Sequence, residues 1–266
     1  MEKMNKVIYI FLIIIMTSSI LAPLLSPYDP VEINLNEIKE PPSLKHPFGT
    51  DNKGRDILSR VIYGGRISLF VAFIAATLSI CIGLFVGLIS GYAGRKVDMA
   101  LMAITDFFLS FPALLLAIGI SIVLPPGIYS SMIAISVAGW ASFARLIRGH
   151  VLTIKEMPYI EAARAIGCSD WRIVVFHILP QCISLSIVMG GLKLGGFILT
   201  EASLSFLGLG AQPPVPSWGS MISSNRIYIL SAPWMVIFPG LAIAVTALSF
   251  NLIGDILRDK YRVKKI

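Results

Sequence analysis

Three ionisable residues interrupt otherwise apolar runs: Asp106, Lys193 and Glu201. A charge inside hydrocarbon is costly, so such groups either line an ion or substrate pathway or act as polar glue between helices. Lys193 and Glu201 stand eight residues apart, about 80° around a helix, and so share a face loosely. As coupling charges they would suit a channel or an ion-coupled carrier. As structural groups they would hydrogen-bond to neighbouring helices or snorkel toward the interface, and this second role is the expected one. Soluble chemistry leaves no signature. The chain has no G-x-x-x-x-G-K-[ST] phosphate loop, no H-E-x-x-H, no G-x-S-x-G, and no paired carboxylates or Ser/His set for an intramembrane protease. Cys81, Cys168 and Cys182 contain no C-x-x-C pair, and His46, His150 and His177 are dispersed. Neither a disulfide framework, nor a metal site, nor a cofactor is expected from that spacing. If ATP powers this protein, another chain must bind it.

Composition says what positions these residues. Of 266 residues, 56% are hydrophobic and 14% charged, against about 25% charged in soluble domains. The mean hydropathy is +0.80. A polytopic membrane protein is implied. The net charge of +7 sits in loops between apolar runs, where it reads as an orientation signal and not as a nucleic-acid surface.

Taken in order, residues 1–25 carry Lys3 and Lys6 and then the apolar run Val7 to Leu25, long enough to span. A cleavable signal is the competing reading. Ile20-Leu21-Ala22 lacks the small residue that a cleavage site wants first, which favours an uncleaved span. Residues 26–66 form a long polar loop kept irregular by Pro27, Pro30, Pro41, Pro42 and Pro47, with a short interfacial helix expected over Ile57 to Tyr63. Residues 67–256 hold five further spans. These are Ile67 to Ala93; Met99 to Leu124, kinked at Pro112; Ile128 to Ala144; Gln181 to Leu207; and Trp234 to Ile253. In the first of these, Ser79, Gly83, Gly87 and Gly91 recur every fourth residue and predict a groove for a second helix. Residues 257–266 are a basic tail. The fold class is all-α, with six transmembrane helices.

One polar segment, 156–180, breaks the apolar pattern. Pro158 suits a first helical turn; Glu161, Ala162, Ala163 and Ala165 favour helix; Gly167 suits the left-handed residue that ends one. Ser169-Asp170 offers a cap for a second helix, Trp171 to Leu179, which Pro180 is expected to interrupt. Small side chains permit close approach, so this helix-turn-helix reads as a docking handle. A plain surface helix is the bland alternative. With six spans, fourteen Lys and Arg fall on the side of the termini and this segment, against seven on the other. By the positive-inside rule both termini and the handle are cytoplasmic and the long first loop is outside.

Glu161-Ala162-Ala163, then Gly167, then Ile178-Leu179-Pro180, resembles the EAA motif of ABC (ATP-binding cassette) importer permeases. More narrowly, the chain resembles the second permease of the dipeptide, oligopeptide and nickel importers. His46-Pro47-Phe48-Gly49-Thr50-Asp51, Gly54-Arg55-Asp56, Leu204 to Gly210, Pro216-Ser217-Trp218-Gly219 and Asn251 to Asp255 carry that likeness, which runs from about Pro27 to Asp259. The resemblance implies a cytoplasmic EAA coupling helix made by Glu161, Ala162, Ala163 and Gly167, with Pro180 closing the motif. It implies a second homologous permease, two ABC ATPase subunits and an extracytoplasmic substrate-binding protein as partners, and a two-state rocking motion. Peptide is the substrate it favours, with nickel or a metal chelate as the alternative.

Overall fold

The computed structural model describes residues 2–263, with side chains from Ile10 to Ile256 and at Arg258. Side chains of Lys3, Lys6, Lys260, Arg262, Lys264 and Lys265, which entered the charge count, lie outside the described residues. Helix dominates, and among the described residues the nearest approach to a sheet is one isolated bridge, Thr50 to Asp56. The helices are α1 (Glu2–Ile20), α2 (Ala22–Leu25), α3 (Ile57–Ala93), α4 (Arg95–Leu109), α5 (Ala113–Val123) and α6 (Ile128–Lys155). They continue with α7 (Pro158–Ala165), α8 (Asp170–Ile173), α9 (Leu179–Phe206), α10 (Trp218–Asn225) and α11 (Trp234–Val263).

The all-α, multi-pass reading holds, but the helices are cut differently from the apolar runs. Among the described residues, four helical stretches are long and apolar enough to cross a membrane: Ile57–Ala93, Ile128–Lys155, Asp170–Phe206 and Trp234–Ile256. A fifth crossing exists if α4 and α5 count as one span. They meet at 89° across Ser110–Pro112, a break and not the expected kink. Ser110 closes α4 by donating its N–H to Asp106 and Phe107, and Pro112, with no N–H to give, starts the next helix. In the first segment the apolar helix with described side chains is Ile10–Ile20, shorter than a span.

Two expected boundaries vanish. The interfacial helix at Ile57 and the span at Ile67 are one 37-residue helix, α3. Asp56 caps it, accepting from the Ser59 N–H at 2.7 Å. Gly64 and Gly65 do not break it because they lie against Trp218, where a Cβ on Gly65 would sit 2.8 Å from the indole. Nor does Pro180 interrupt the next helix. Val174–Ile178 forms a π turn whose exit, the Leu179 N–H, reaches back to Val174 O. That widened turn delivers Pro180 to the first turn of α9, where a missing N–H costs nothing.

The core is α3 against α6, and the small-residue stripe is its seam. A Cβ on Gly87 would lie 2.7 Å from Ala144 O, and one on Gly91 2.7 Å from the Val151 Cβ. Ser79 Oγ donates to Ser136 O at 3.2 Å across the same seam. Backbones this close gain dispersion that larger side chains would forbid. A second seam joins α9 to α11, with Gly195 on Ala247 and Gly254 on Leu192. The long loop is irregular, as its prolines require, yet it is not loose. Phe48 stacks on Phe238 at 3.9 Å, and Trp234 Nε1 donates to Thr50 O at 3.2 Å.

Candidate functional site

The polar segment folds as a knuckle between α6 and α9. Pro158 opens α7, with Glu161 in its first turn and Arg164 in its last, both matched to the helix dipole. Its end forms a closed pattern. The Gly167 N–H donates to Arg164 O and the Cys168 N–H to Ala163 O, each at 3.0 Å. Gly167 has φ +83°, so this is the Schellman ending that its glycine predicts. Ala163 and Cys168 belong to one hydrophobic cluster, the apolar contact that accompanies such an ending.

The knuckle is footed on the bundle. Ile160, Ala163, Ile173 and Ile178 pack with Ile147, Val151 and Ile154 of α6. Each fully buried isoleucine contributes about 1.5–3 kcal/mol relative to exposure. Gln181 Nε2 donates to Tyr159 Oη at 2.6 Å, Tyr92 Oη bonds Asp170, and Lys155 Nζ donates to Tyr92 O at 2.9 Å. The last of these places a cation on the C-terminus of α3. A push on the knuckle is therefore felt by α3, α6 and α9 together.

The candidate residues divide by exposure. Glu161, Ala162, Gly167 and Pro180 face outward, whereas Ala163 is buried in the footing. Beside Gly167 lies a concavity of about 1000 Å³ lined by Ile166, Cys168, Ser169, Trp171, Arg172 and Phe176 among others. Ile166, Trp171 and Phe176 are 81%, 75% and 67% exposed. Three large apolar side chains left uncovered by this chain on one short segment mark a surface for contact with a partner or with lipid. Sequence reasoning named the small residues and missed these; their signal was large apolar groups inside a polar stretch.

The three charges expected within spans are not brought together. Asp106 on α4 pairs with Arg145 on α6. Lys193 Nζ donates to Ser142 Oγ on α6 at 2.6 Å. Glu201, 1% exposed, accepts from Ser205 Oγ at 2.7 Å, and its Oε2 is buried without a hydrogen-bond partner among the described residues. Two of the three bond to side chains of α6.

Residues 83–263 match the family described as the binding-protein-dependent transport system inner membrane component. The chain belongs to that family and is the permease component of an ABC importer. It is 46% identical to the dipeptide transport system permease protein DppC of Alkalihalophilus pseudofirmus, over 97% of this chain and 86% of that protein. It is 43% identical to the glutathione transport system permease protein GsiD of Escherichia coli, over 97% and 86%. In fold it resembles a chain of the inward-facing MetNI methionine ABC transporter, with TM-score 0.60 and 20% identity over 76% of this chain and 97% of that one. An amino acid ABC transporter chain gives TM-score 0.55 at 19% identity, covering 76% and 94%.

Proposed function

We propose that this chain is one of two permeases in a heteromeric importer of di- and oligopeptides, with both termini and the knuckle in the cytoplasm. The Schellman-ended knuckle beside a concavity edged by exposed apolar side chains is the observation that carries the reading. Each of two ATPase subunits receives one permease's knuckle, and ATP-driven closure of the ATPases moves it. The footing on α3, α6 and α9 turns that motion into rocking of the bundle. Substrate reaches the pathway from an extracytoplasmic binding protein docked on the side of the long loop. Relatives named for dipeptide and glutathione transport support a peptide cargo over nickel. The test is uptake of a labelled dipeptide by cells expressing the whole transporter, with nickel accumulation measured in parallel. Dipeptide uptake that competes with longer peptides supports the proposal. Nickel accumulation without peptide uptake sinks the substrate, and uptake without any ATPase subunit sinks the importer mechanism.

A further inference from the structure

The long outer loop holds a second constellation, built on His46. Its Nδ1 lies 2.9 Å from Asp56 Oδ1, and the other Asp56 oxygen already accepts from the Ser59 N–H and Oγ at 2.7 and 2.6 Å. A carboxylate so engaged is an acceptor, so Nδ1 donates to it and the ring is turned to present Nε2 on the opposite side. Yet Nε2 faces another acceptor, Glu37 Oε2, at 3.1 Å. Either a proton or a metal cation can stand between Nε2 and that oxygen.

The surroundings favour a metal cation. Two ligands bound 2.0–2.2 Å from one tetrahedral zinc stand about 3.3–3.5 Å apart, close to the spacing found here. A Glu40 oxygen completes a set whose ligand atoms all lie within 4.8 Å of one another. The Glu40 carboxylate receives no hydrogen bond among the described residues. Both glutamate backbones are clamped by Thr50, whose Oγ1 donates to Glu37 O and whose N–H donates to Glu40 O at 3.0 Å. The Tyr28 ring covers the imidazole at 4.8 Å, and the ring is 2% exposed. A carboxylate on the far nitrogen is the usual outer partner of a metal-bound histidine. Charge points the same way. Arg55 and Arg60 pair with Asp51 and Lys45 pairs with Glu37, which leaves Asp56 and Glu40 without a Lys or Arg ion pair among the described residues.

We propose that Glu37, Glu40 and His46 bind one divalent cation of the zinc class, oriented by Asp56, which clips the outer loop onto the start of α3. Imidazole with carboxylates suits zinc better than calcium. The test uses the tag-free full chain in lipid nanodiscs, stripped with chelator and titrated with Zn²⁺, then with Co²⁺ as an optical probe. One equivalent should bind, with Co²⁺ showing the absorption of a low-coordinate site and Ca²⁺ failing to compete. Glu40→Gln should weaken zinc at least about ten-fold with helicity unchanged, and His46→Gln should abolish it. No zinc bound, or zinc that both variants leave unchanged, overturns the site. So does a nitrogen-15 spectrum of the zinc-treated chain with both His46 ring nitrogens protonated, because a proton would then fill the gap.

Discussion

Arg148 and Asp98 meet in a two-pronged ion pair, Nε to Oδ1 and Nη2 to Oδ2, each 2.6 Å. The pair fastens α6 to the start of α4, immediately after the turn that leaves α3. Ser90 Oγ joins from α3, so one carboxylate gathers three helices. Parallel, charge-assisted bonds of this geometry are roughly twice as strong as neutral ones.

Asp98→Asn should therefore destabilise the bundle by about 1–2 kcal/mol, a moderate figure because the pair is only part-buried. A double-mutant cycle with Arg148→Gln, read by thermal unfolding in detergent, measures the coupling. Strict additivity of the two substitutions would show that the pair is ornamental.

The sequence made some of this legible. The stripe Ser79, Gly83, Gly87, Gly91 announced a close helix seam because four-residue spacing fixes one face, whatever the partner. Gly167 announced its own backbone conformation because few other residues adopt it. Boundaries set by tertiary contact were hidden. Gly64 and Gly65 look like breakers until Trp218 is seen against them, and Pro180 looks like a stop until the π turn absorbs it. The His46 cluster was invisible for a different reason. Its members are nine and six residues apart in a proline-rich loop, where no helix or strand period brings side chains together.

The α3–α6 seam yields a sharp contrast between glycines. Gly87→Leu must push Ala144 or Ile147 aside and should cost about 1–3 kcal/mol or more by overpacking. Gly196→Leu, where a Cβ meets nothing within 4 Å, should be near neutral. Melting temperature at matched membrane insertion is the readout. Equal losses at the two sites would refute the seam.

Orientation is tested by single cysteines in a cysteine-free background. Lys53 is exposed in the long first loop and Ser169 is exposed on the knuckle, so both report without disturbing packing. Lys155 is a poorer reporter, since its ammonium is bound to the end of α3. An impermeant thiol reagent added outside should label position 53 and spare position 169. The reverse pattern would put the knuckle on the wrong side for ATPases.

The strongest test of the knuckle is Gly167→Val. Its φ of +83° strains any residue with a Cβ, by roughly 1–2 kcal/mol. Within this chain an added Cβ meets nothing within 4 Å, so the fold should survive and the bundle should insert normally. The damage should fall on what the knuckle touches. A relaxed valine would shift the Gly167 and Cys168 N–H groups off Arg164 and Ala163 and re-aim Ile166 and Trp171. A bulky group pushed into a partner's cleft costs about 1–3 kcal/mol more. Peptide uptake should fall, and the ATPase subunits should co-purify poorly or hydrolyse ATP without transport. Asn36→Val, at an exposed loop position, should change neither readout. Normal uptake and normal co-purification for Gly167→Val would reduce α7 and its glycine to a surface helix, and would leave the family likeness without a physical coupling point in this chain.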